Sequence, residues 1–133
     1  MRGGKKMKYN YKKQVNISYS EAVTKVKAEL QKEGFGVLTE IDVKATLKKK
    51  LNVDFDNYII IGACNPPFAY QALQAEKDIG LLLPCNVIVY DDGGKTFAAS
   101  ILPTQAMNMI ENKKLQDIAV QVESKLKKVI DNL

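Results

Sequence analysis

Two short runs constrain this chain more than anything else in it. Residues 58–64 (Tyr-Ile-Ile-Ile-Gly-Ala-Cys) and 86–90 (Asn-Val-Ile-Val-Tyr) have the β-branched and aromatic content of strands. Side chains alternate across a strand, so a sheet with one wet face should alternate apolar and polar residues. These runs do not alternate. Ile59, Ile61, Val87 and Val89 are apolar, and so are Tyr58, Ile60, Ile88 and Tyr90 on the opposite parity. Something must therefore cover both faces of the central sheet. Either the helices divide between the faces, or they take one and a second copy of the chain takes the other. A two-fold homodimer is the simplest cover of the second kind.

The flanking sequence supplies the other elements. Residues 8–15 form a first strand with Tyr9, Tyr11, Lys13 and Val15 on one side. Ser18-Tyr19-Ser20-Glu21 is a capping box, and the helix it opens carries Ala22, Val23, Val26 and Leu30 before stopping at Gly34. Residues 35–41 read as a second strand. Phe35, Val37, Thr39 and Ile41 share one of its faces, and Gly36, Leu38 and Glu40 the other. Asp42 caps a short helix to residue 51, with Val43, Leu47 and Leu51 inward and Lys44, Lys48, Lys49 and Lys50 mostly in solvent. Asn65-Pro66-Pro67 halts the third strand and opens a helix near Phe68 that runs to about Lys77, because Pro suits a first helical turn.

Gly80 and Pro84 bracket a short connector to the fourth strand. Asp91-Asp92-Gly93-Gly94 is a hairpin turn leading to a fifth strand over residues 95–102. A short helical stretch is expected around residues 106–110. The last helix, about residues 113–132, carries an apolar stripe of Leu115, Ile118, Ala119, Val122, Leu126, Val129, Ile130 and Leu133. The order β-α-β-α-β-α-β-β-α-α predicts a single α+β domain. It is a two-layer sandwich, with helices packed on a mostly antiparallel five-stranded sheet. A chain of 133 residues fits one such domain, and no linker interrupts it.

Charge and missing residue types narrow the function. The formal +5 comes from 20 Lys+Arg against 15 Asp+Glu. Arg2, Lys5, Lys6 and Lys8 fall in residues 1–8, which with Gly3 and Gly4 read as a flexible basic leader. Residues 9–133 then keep 16 lysines against the 15 acids, and no arginine. The guanidinium fork that reads guanine edges and phosphates is missing from that body, which disfavours nucleic acid as a partner. The chain has no His. That excludes imidazole bases, Ser-His-Asp and Cys-His pairs and His-ligated metals within one chain.

Two thiols without a CxxC spacing give no expectation of a metal. Neither glycine-rich phosphate-binding pattern is present, so no cofactor is expected. The apolar runs are far shorter than the roughly 18 residues of a membrane helix, and no signal-peptide core follows the basic start. A cytoplasmic protein with reduced cysteines and no membrane partner is expected.

Five residues are left to carry chemistry. Cys64 lies where a strand feeds a helix start, whose positive dipole end favours a thiolate; Cys85 lies where a loop feeds a strand. Each could equally be a packed, inert thiol, since free Cys is among the most buried residue types, and a structural disulfide is the third reading. Asn65 and Asn86 follow the two cysteines. They either shape turns or line one pocket with the thiols. Glu40 is either an acid–base carboxylate with a raised pKa on a covered face or an edge residue in water. If strands three and four are antiparallel neighbours, both thiols fall at one end of the sheet.

The residues also resemble a known family. Gly34-Phe35-Gly36-Val37-Leu38-Thr39-Glu40-Ile41-Asp42-Val43, then Ile61-Gly62-Ala63-Cys64-Asn65-Pro66, then Ile79-Gly80-Leu81-Leu82-Leu83-Pro84-Cys85-Asn86-Val87 look like the signature segments of domain of unknown function number 302. The resemblance spans about residues 9–133. It implies a compact α+β domain, usually a dimer, of bacterial and archaeal cytosol, and it implies no reaction. It places Glu40, Cys64, Asn65, Pro84, Cys85 and Asn86 on signature segments. The expectation is a homodimeric small-ligand-binding or accessory module, with a pocket near the two Cys-Asn segments. The alternative is a thiol-dependent redox or sulfur-handling enzyme, with Cys64 attacking, Cys85 resolving and Glu40 carrying the proton.

Overall fold

The computed structural model describes residues 8–133; all of the expected leader but Lys8 lies outside the described residues. Five strands, β1 (Asn10–Val15), β2 (Gly36–Asp42), β3 (Tyr58–Cys64), β4 (Cys85–Asp92) and β5 (Lys95–Ile101), form one sheet. Their spatial order is β1-β5-β4-β3-β2 and every neighbouring pair is antiparallel. The helices are α1 (Tyr19–Lys32), α2 (Val43–Leu51), α3 (Pro66–Ala75), α4 (Pro103–Ala106) and α5 (Lys113–Asp131). The architecture is the α+β sandwich expected, in the expected element order.

Local chemistry explains the boundaries. The Glu21 amide donates to Ser18 Oγ and the Ser18 amide donates to Glu21 Oε1, both at 3.2 Å, closing the capping box at the start of α1. Asp42 caps α2 by accepting from the Ala45 amide at 2.9 Å. Gly93 and Gly94 join β4 to β5 with φ of 58° and 78°, the positive values that a tight two-residue hairpin requires. On the sheet, Ile59, Ile61, Val87, Val89 and Ala98 point into the core. There they meet Ala22, Val26 and Leu30 of α1 and the stripe of α5. Every member of that stripe is buried except the half-buried terminal Leu133.

Several expectations need correction. In β2, Val37 pairs with Ala63 and Thr39 with Gly62, so Leu38 is an extra residue, a β-bulge. The bulge flips the pattern beyond it. Glu40 and Asp42 take the parity of Val37, while Thr39 and Ile41 move to the opposite face. Leu51, expected inward, is 65% exposed, and no residue of α2 is fully buried. The helix expected to reach Lys77 ends at Ala75, and Lys77–Leu82 continues as a 3-10 helix. The short helix expected near residues 106–110 begins earlier, at Pro103, whose fixed φ suits a first helical position.

The opposite face of the sheet is only half covered. Tyr58, Ile60, Ile88, Tyr90, Phe97 and Ile101 on that face are all partly exposed. Tyr58 and Tyr90 stack with ring centroids 5.3 Å apart, and Tyr90 and Phe97 at 5.4 Å. Lys12 lays its ammonium 4.6 Å from the Phe97 ring centroid.

Candidate functional site

The register of the central strands fixes the site. Ala63 of β3 pairs with Cys85 of β4, so Cys64 and Cys85 come together at one end of the sheet, as expected for antiparallel neighbours. Beyond them the chain opens a cavity of about 250 Å³. The sheet end contributes Ala63, Cys64 and Cys85; α3 contributes Phe68, Ala69, Ala72 and Leu73; α5 contributes Ile118, Ala119 and Val122. Leu83 and Pro84 close it from the connector, Met107 from beyond α4, and Phe35 and Leu38 from around the start of β2. Among the described residues, its lining contains no charged side chain. Four of the lining residues are alanines, which is why the junction of sheet, α3 and α5 holds space at all.

Asn65 joins the two thiols in this wall. It starts α3 as its N-cap yet makes no side-chain cap bond to that helix. Its Nδ2 instead donates to the Glu33 carbonyl at 3.1 Å, satisfying an orphan carbonyl at the end of α1. Gly34 makes room for this. It has φ of 85°, and a Cβ there would stand 3.3 Å from Asn65 Nδ2. Asn65 thus ties the β3–α3 junction to the end of α1 while lining the cavity.

The thiols are free and unequal. Cys85 is buried and Cys64 is partly exposed. Burial pushes the Cys85 thiol up to about 11, and the charge of a Cys64 thiolate adds to the rise. Two other candidates stand outside the cavity. Asn86 lies one residue further along β4, exposed, and lines an adjoining cleft that shares Leu83, Pro84, Cys85, Pro103 and Met107 with the cavity. Glu40 lies on the edge strand β2 with its side chain 43% exposed, in an ion pair with Lys27 of α1 at 2.8 Å. Glu40 thus stands on an edge strand, on the side of the sheet that faces α1, half-exposed and ion-paired.

Reading the sequence for polar chemistry missed most of the cavity wall. The available signal was the pairing of Phe68 with Ala72 and of Ala69 with Leu73 at helical spacing. A face that alternates large and small residues leaves volume beside it. Among the described residues, no group of three or more His, Cys, Asp or Glu side chains could hold a metal ion. Nor is any helix among them long and apolar enough to cross a membrane.

Comparison with known proteins bears on the fold and the family. No curated protein matches the chain. The crystal structure of an uncharacterized conserved DUF302 protein from Bacillus stearothermophilus is 31% identical with a TM-score of 0.87, covering 92% of this chain and 96% of that one. A family model described as domain of unknown function DUF302 matches residues 11–133. With both fold and sequence in agreement over nearly the whole described chain, this protein belongs to the DUF302 family.

Proposed function

We propose that the protein is a homodimeric small-ligand-binding module whose ligand occupies the cavity between the sheet end, α3 and α5. The observation that carries this reading is a formed, almost wholly apolar cavity with one buried amide and two thiols in its wall. A concave apolar site with few polar groups is the usual form of a small-molecule site. The half-covered aromatic face of the sheet supports the dimer, since large exposed apolar patches mark interaction surfaces. Burial of Cys85 weighs against the thiol-exchange alternative, because the thiolate is the attacking and exchanging species.

Native mass spectrometry of the purified protein tests the ligand site. A retained small molecule that is lost on denaturation is expected. The variant Ala69→Leu, which fills the cavity from a half-buried position on α3, should not retain it. Retention of the same mass by Ala69→Leu would overturn the assignment to this cavity.

A further inference from the structure

Physical properties of the cavity wall specify the kind of molecule it accepts. We propose that it takes a neutral, mainly apolar ligand whose head group donates one hydrogen bond to Asn65, as a medium-chain alcohol or a phenol does. This inference rests on the cavity being the ligand site.

The absence of charge in the ligand follows from the wall. No described Lys, Asp or Glu side chain lines the cavity, so a carboxylate, phosphate or ammonium drawn in against its wall would meet no counter-charge. An uncompensated buried ion is expensive, and a neutral molecule avoids that cost. Size follows from the volume. A dry cavity of about 150 Å³ holds one benzene ring, so the 250 Å³ here suits on the order of ten non-hydrogen atoms. Cys64, Cys85 and Met107 add polarizable sulfur to an otherwise hydrocarbon surface, which suits an aliphatic chain or a ring.

The head group follows from Asn65. This residue is 8% exposed, and its Nδ2 is committed to the Glu33 carbonyl. Its Oδ1 accepts no hydrogen bond from the described residues, yet no sealed side-chain oxygen or nitrogen among them is left unpaired. With Asn65 in the cavity wall, that accessible oxygen is assigned to the cavity side. An accessible amide oxygen that no protein donor reaches can accept from a ligand hydroxyl.

The alanine methyls of Ala63, Ala69, Ala72 and Ala119 report occupancy directly by NMR. Octanol, octanoate, octylammonium and the ether 1-methoxyheptane share a length and differ at the head. Titration near neutral pH should move these four methyls with octanol. Octanol should bind at least about tenfold tighter than either charged probe, and several-fold tighter than the ether, which cannot donate. Ala69→Leu should weaken octanol by about tenfold or more while its other methyl signals stay in place. Tighter binding of octanoate or octylammonium at the same methyls would overturn the neutral class and leave the cavity as the ligand site. Equal binding of alcohol and ether would overturn the donor requirement. If no probe moves the methyls, the ligand site itself falls, and this inference with it.

Discussion

Cys85 and Asn65 line one cavity and respond to burial in different ways. Asn65 keeps its polarity because the end of α1 takes its amide hydrogen. Cys85 has no such partner among the described residues, and burial holds its thiol protonated up to about 11 against an ordinary value of 9.0. The consequence for stability has a definite sign. Between these two values the unfolded thiol has lost its proton and the folded one has not, so the unfolded state binds fewer protons and stability falls as pH rises. Below pH 9 the contribution is present in full. Urea unfolding of the wild type and of Cys85→Ala should therefore converge by on the order of 2–3 kcal/mol between about pH 9 and pH 11, and should differ by a constant amount from pH 6 to 8. A constant difference across the whole range would show that Cys85 ionises as freely as in the unfolded chain. Alkylation of Cys85 in the folded protein should rise only at the top of this range.

Elements were legible where composition carries their signal. The capping box at Ser18, the Asp42 cap, the glycine hairpin and the α5 stripe each follow from residues whose chemistry permits little else. The bulge at Leu38 was not legible. Val37-Leu38-Thr39-Glu40-Ile41 reads as an unbroken strand in either register, and only the pairing with β3 shows that one residue is extra. The same limit applied to the site. The thiols and Asn65 stand out by type, but the space beside them depends on how α3 and α5 lean on the sheet, which no single residue encodes.

The partner of the bulge is Gly62. Thr39 lies directly across from it, and Pro84 approaches from the connector. A Cβ at Gly62 would stand 2.8 Å from Pro84 Cγ and would also overlap Thr39 Oγ1. Gly62→Ala should cost about 1–3 kcal/mol by overpacking, measured by chemical denaturation. Adding Thr39→Ser should leave much of that cost, since the hydroxyl and Pro84 both persist. Adding Thr39→Gly should recover part of it. Full tolerance of Gly62→Ala would mean that β2 and the connector are free to move away from β3.

At the scale of the whole molecule, the doubly apolar central strands were resolved asymmetrically. Their inward parity is sealed by α1 and α5, while Tyr58, Ile60, Ile88, Tyr90 and Phe97 form a half-open face. The stacked rings and the Lys12 ammonium give that face a ridge of aromatic surface, the type of surface enriched at protein interfaces. A symmetric partner would lay the same strands across it and cover both copies at once. Ile88 stands near its middle, paired with Ile60 on β3 and Ala99 on β5. Ile88→Lys would place two unpaired ammonium groups in the centre of such an interface, which costs several kcal/mol in each dimer. Sedimentation equilibrium should give a dimer for the wild type at micromolar concentration and a monomer for Ile88→Lys, with the same circular dichroism and the same cavity methyl spectrum. A monomeric wild type, or a dimer unaffected by Ile88→Lys, would assign this face to something other than a second copy of the chain.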